Sequence, residues 1–161
     1  MKRRVALSTF SIILTIAVIA LFVVGMISYL NRGVDWLAYL LAGSLVLICC
    51  LAMYFTPMSI SVEDGCLNIN MLLRTKSIPL RDIQSVALCP PTMSEKRLLG
   101  SGGFFGYWGW FREPSIGRYF AYYGKASDCF LVRLKDGRLY MFGCVDALGI
   151  MECINSNLTA R

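Results

Sequence analysis

Val5-Ala6-Leu7-Ser8-Thr9-Phe10-Ser11-Ile12-Ile13-Leu14-Thr15-Ile16-Ala17-Val18-Ile19-Ala20-Leu21-Phe22-Val23-Val24-Gly25-Met26-Ile27-Ser28-Tyr29-Leu30 carries no charge, and neither does Trp36–Phe55. Between them lies Asn31-Arg32-Gly33-Val34-Asp35, the one break in the first third of the chain. Each apolar run is long enough to cross the roughly 30 Å hydrocarbon core as a helix, which takes about 20 residues. The Ser and Thr hydroxyls of the first run can bond back to the helix, so they are tolerated in lipid. A helix in a soluble core would need a polar face, and neither run has one. The sequence therefore predicts a two-helix transmembrane hairpin over 1–56, with helices at about 5–30 and 36–55.

The details at the ends agree. Trp36, Tyr39 and Tyr54 sit where interfacial aromatics are expected. Pro57 stops the second helix. The five-residue break makes the helices antiparallel neighbours. A cleaved leader would need a shorter apolar run and a small-residue cleavage site, and neither follows Lys2-Arg3-Arg4. That basic cluster, set against a loop holding one Arg and one Asp, puts both termini of this multi-pass chain in the cytoplasm.

The whole chain has 161 residues, 57% of them hydrophobic, with a mean hydropathy of +0.59 and a formal charge of +6. Residues 57–161 hold twelve Lys and Arg against nine Asp and Glu, a surplus of three. Such a mild excess suits a domain held near anionic headgroups. It is too scattered for nucleic-acid binding, and no motif for that purpose occurs. Seven cysteines without a C-x-x-C pair, and no histidine, leave no metal-ligand pattern. They read as buried thiols in a reducing compartment. Without histidine the commonest general base is missing, and the acidic residues are scattered singly. The expectation is a non-enzymatic protein with no catalytic residue, no cofactor and no metal.

After Pro57 the pattern alternates. Ser59–Val62 and Leu67–Met71 flank the turn Glu63-Asp64-Gly65 as a hairpin. Further strands are expected at Arg74–Ile78, Ile83–Leu88 and Arg118–Tyr123, and a last hairpin at Phe130–Leu134 and Leu139–Phe142 around Asp136-Gly137. From Asp146, a suitable N-cap, Ala147, Ile150, Met151, Ile154 and Leu158 fall on one helical stripe. On the same grounds Leu148 is expected to be buried with Met151 and Ile154. Six or seven short strands and one amphipathic helix predict a small all-antiparallel barrel over 57–161, closed at one end by the helix.

The segment Ile78-Pro79-Leu80-Arg81-Asp82-Ile83-Gln84-Ser85-Val86 and the run Gly100-Ser101-Gly102-Gly103-Phe104-Phe105-Gly106-Tyr107-Trp108-Gly109 resemble the bacterial pleckstrin-homology-like (PH-like) domains, including membrane-anchored members. The resemblance covers about 57–160. It implies a PH-like barrel tethered to the inner membrane. It does not imply phosphoinositide binding, since many domains of this fold bind proteins.

Residues 97–112, within a loop expected from Thr92 to Gly117, hold six aromatics and five glycines. A phosphate-cradling reading lacks the following Lys-Ser/Thr and a helix. Two readings remain open. The aromatics fold back on the barrel as a plug, with glycines at the tight turns. Alternatively Arg97, Phe104, Phe105, Tyr107, Trp108, Trp110, Phe111 and Arg112 contact the membrane surface or a partner. The main functional expectation is a binding or scaffold module for a protein partner at the cytoplasmic face of the bilayer. The alternative is anionic-lipid or membrane-surface sensing through 97–112.

Overall fold

In the computed structural model, which describes residues 1–92 and 94–159, the basic cluster at the start of the chain is a strand. This β1 (Lys2–Arg4) leads into α1 (Thr9–Asn31) and α2 (Asp35–Phe55), and the chain returns as β2 (Pro57–Glu63). β1 and β2 pair antiparallel, with Lys2 opposite Ser61 and Arg4 opposite Ser59. The two helices are thus an excursion between two neighbouring strands. Ser8 caps α1 by accepting from the Ser11 amide at 3.1 Å, so the helix starts four residues later than the apolar run. Val5 is held in extended backbone instead, its amide donating to the Met58 carbonyl at 2.9 Å. Both helices are long and apolar enough to cross a membrane, and only 6% and 11% of their most apolar windows are buried.

The remaining elements are β3 (Cys66–Met71), β4 (Thr75–Pro79), β5 (Ile83–Leu88), β6 (Lys96–Gly103), β7 (Gly106–Glu113), β8 (Gly117–Tyr123), β9 (Cys129–Leu134), β10 (Leu139–Gly143) and α3 (Ala147–Thr159). Each strand expected from alternation is present within a residue or so. Asp64 and Gly65 both take positive φ, 52° and 70°, as the tight β2–β3 turn requires.

Three expectations fail. No barrel closes: the strands form a four-stranded sheet, β1-β2-β3-β4, and a six-stranded sheet, β5-β9-β10-β8-β7-β6. The strands are not all antiparallel, because β10 inserts between β9 and β8 and runs parallel to β8. The expected long loop is instead the β6–β7 hairpin, since its glycines allow two strands to pair where bulky residues alone would not. Ala160 and Arg161, the end of the domain expected over 57–161, lie outside the described residues.

One core fills the space between the sheets. Ile60, Leu67 and Ile69 of the small sheet meet Tyr122, Phe130, Val132 and Phe142 of the large one. α3 covers the seam with Ala147, Ile150 and Ile154. The Gly149 amide donates to Asp146 Oδ1 at 3.2 Å, the cap the sequence anticipates. Leu148, expected to be buried, is 53% exposed, while Ile150 is 0% exposed. Ile150 lies one turn before Ile154 on the inward stripe, and Leu148 lies outside that stripe.

Ile150→Ala should therefore lower unfolding stability by about 2–4 kcal/mol. Leu148→Ala should change it by no more than about 0.5 kcal/mol. Denaturant unfolding of the full chain in detergent, followed by near-UV dichroism, measures both. Equal costs at the two positions would refute the packing described.

Candidate functional site

The glycine-aromatic hairpin is built by setting a small residue of β6 opposite each of positions 106–109 of β7. Gly100 lies opposite Gly109, Ser101 opposite Trp108 and Gly102 opposite Tyr107. Gly100 and Gly109 take φ of 123° and 121°. A Cβ on Gly100 would run into the Trp108 carbonyl oxygen, and one on Gly109 into that of Leu99. Only glycine fits at either position.

The tip of this hairpin is clamped between the helices. The Phe105 amide donates to Thr15 Oγ1 of α1 at 3.0 Å, and the Phe105 carbonyl accepts from Thr56 Oγ1, at the end of α2, at 3.0 Å. Thr15 donates in turn to Ser11 O at 2.7 Å, and the single Thr56 hydroxyl proton is shared between the Phe105 carbonyl and Ala52 O, 2.6 Å away. Thr15 lies about 9 Å along α1 from Thr9, at 1.5 Å per residue. Phe55 stacks on Trp108, ring centroids 5.0 Å apart at 12°. Beside this contact, Arg97, Ser101, Phe104 and Trp108 face Val18, Ile48 and Leu51 across a cleft of about 390 Å³. The Trp108 Nε1 is buried there without a hydrogen-bond partner among the described residues.

The hairpin divides its aromatics between two faces. Tyr107 stacks on Tyr123 and Phe111 on Tyr119, at 4.8 and 6.1 Å, inside a second buried cluster with Ala121, Cys129 and Met141. The segment before β6 supplies acceptors to that cluster. Glu95 accepts from Tyr119 Oη at 2.6 Å and from Tyr123 Oη at 3.1 Å. Burial, reinforced by the Glu95 carboxylate, holds both phenols protonated well above their ordinary range. Burial likewise raises the Cys129 thiol and pushes that of Cys144 up to about 12, which leaves both unreactive at neutral pH.

On the other face Trp110 meets Phe120 edge-on at 5.1 Å and carries the Arg118 guanidinium 4.3 Å above its ring. Arg112 stands directly between Lys96 and Arg118, opposite both. All three cations are exposed and none has an ion pair among the described residues.

The chain matches the bacterial PH domain family over residues 58–157. It belongs to that family. No curated protein and no solved structure matches it. Membership of that family supports a binding or scaffold module.

The eight residues singled out in the sequence thus separate into three groups in this PH domain. Phe104, Phe105, Trp108 and Arg97 meet the helices. Tyr107 and Phe111 are core. Trp110 and Arg112 face outward, away from the tip. Sequence reasoning missed Thr15 and Thr56, which look like ordinary membrane-tolerated hydroxyls. It also missed Arg74, whose guanidinium lies 4.4 Å over the Tyr54 ring and 5.1 Å from that of Phe55. Among the described residues no three His, Cys, Asp or Glu side chains gather as a metal group.

Gly109→Ala should break the hairpin and free its tip, at a cost of at least about 2 kcal/mol. Ala in place of Gly117, also at positive φ but with open space around it, should cost less, since it adds backbone strain without a clash. Thermal unfolding of the two variants compares them directly. A Gly109 variant as stable as wild type would exclude the pairing.

Proposed function

We infer that the chain is a non-enzymatic binding or scaffold module, fixed in the cytoplasmic membrane by α1 and α2, whose PH domain takes a protein partner at the cytoplasmic face. The anchor is 1–56 and the binding domain 57–161, with β1 returned to the domain's small sheet. Both termini then lie on one side, and the basic N-terminal cluster favours the cytoplasm for that side.

The partner reading is carried by the row Lys96-Arg112-Arg118. Like charges placed opposite one another weaken a sheet. This row lies at the end of the hairpin away from the helices, where lipid does not screen it. An acidic protein surface relieves the repulsion and adds attraction at long range. The neighbouring β6 is an edge strand with Leu98 and Leu99 52% and 73% exposed, an edge open to pairing and an apolar anchor beside the charges. Lipid sensing is the second reading, supported by Arg97 and Trp108 beside the helices.

A photo-crosslinking residue in place of Leu99 should give a discrete protein adduct in cells. Lys96→Glu/Arg112→Glu should abolish that adduct while leaving the chain in the membrane fraction. Adducts to phospholipid instead would favour the second reading. A fluorescent protein fused after Arg161 should fold and emit, and alkaline phosphatase at the same point should be inactive. The opposite pair of results would reverse the topology.

A further inference from the structure

A cleft also opens away from the hairpin's charged end. It lies at the root of the helix pair and has a volume of about 1030 Å³. Its walls come from β1, β2, β3, the last turn of α2 and the hairpin tip, and include Lys2, Arg4, Leu7, Met53, Met58 and Phe105. Alternation along β1 puts Lys2 and Arg4 on one face and Arg3 on the other. Arg3 also contributes to the lining, but its guanidinium is held 2.7 Å from Asp146, just ahead of α3. Lys2 and Arg4 are exposed and have no ion pair among the described residues. The rest of the lining is mixed: Ser59 and Asn70 are polar, while Leu7, Met53 and Met58 are large exposed hydrophobics.

We propose that this cleft binds one anionic phospholipid, with its phosphate between Lys2 and Arg4 and the start of its acyl chains along Leu7, Met53 and Met58. The proposal rests on α1 and α2 spanning the bilayer. Met53 lies in the last turn of α2 and Leu7 two residues before α1, so the apolar lining adjoins the rooted ends of the helices. A free phosphate compound would satisfy the two cations but leave the apolar wall in water, which folded surfaces avoid. A diacyl lipid satisfies both. The volume sits at the top of the usual range for a small-ligand site, about 300–1,000 Å³, enough for a glycerophosphate head and its first methylenes. The cations also explain why a strand so short carries three basic residues. One braces α3, and two are left for the ligand.

The test is native mass spectrometry of the full chain, released from detergent containing phosphatidylglycerol or phosphatidylcholine. The wild type should retain one phosphatidylglycerol and exchange phosphatidylcholine freely. Lys2→Gln/Arg4→Gln should weaken retention by about 30-fold, the effect of two cations facing anionic lipid. Leu7→Gln/Met58→Gln should weaken it with both cations in place, which separates a lost wall from a misfolded strand. Glycerol 3-phosphate should not compete. Equal retention of the two lipids, or retention unchanged in both double variants, would overturn the proposal. Competition by glycerol 3-phosphate would overturn it in favour of a free phosphate ligand. Release of the chain from membranes by alkali would instead defeat the membrane reading beneath it. A chain that resists alkali but shows no lipid preference defeats this proposal alone.

Discussion

The pairing of β1 with β2 constrains everything else. Two strands three and seven residues long, joined by an α-helical excursion, must lie side by side with Arg4 opposite Ser59. The excursion has to leave and return at the same place, so α1 and α2 are forced antiparallel with their free ends and their rooted ends together. Had Lys2–Arg4 been a loose tail, the helices would join the domain at one point only, after Thr56. With β1 in the sheet they join it at two. The hairpin tip adds a third point, through the Phe105 peptide held between Thr15 and Thr56. Three attachments around a short root leave the domain little freedom to swing beneath the helices.

That rigidity gives the glycine-aromatic hairpin its division of labour. Its near half is spent on the helices and the core, where Trp108 stacks on Phe55 and Tyr107 on Tyr123. Its far half holds Lys96 on the edge strand β6 and Arg112 on β7 clear of the root, in line with Arg118 on β8. Internal packing and exposed charge therefore coexist in this stretch. One end is internal packing, the other is exposed charge, and the change comes along β7 between Trp108 and Arg112.

Much of this was legible in the sequence because it follows local rules. Two uncharged runs, period-2 alternation from Ser59 on, the Asp64-Gly65 turn and the stripe Ala147, Ile150, Ile154 all report on neighbours a few residues away. The failures are of longer range. Nothing local distinguishes Lys2-Arg3-Arg4 as a topogenic cluster from the same residues as a strand, because its partner lies beyond both helices. The insertion of β10 between β8 and β9 is likewise a matter of sheet order, to which alternation is blind. The glycines of 97–112 point to a loop when counted singly. They make a strand pair only when Gly100 is seen opposite Gly109, a register fixed by the tip's contacts with Thr15 and Thr56. Leu148 was misplaced for a smaller reason: a stripe of three- and four-residue spacings admits Ile150 and excludes its neighbour two positions back.

Amide hydrogen exchange of the full chain in lipid nanodiscs tests the root of this account most directly. If β1 is part of the sheet, the amides of Arg3 and Val5, which face β2, should exchange as slowly as those of β2, since the Val5 amide is bonded to Met58 and the Met1 ammonium and carbonyl to Val62. Exchange of Arg3 and Val5 at the rate of a free chain, with β2 still protected, would contradict it.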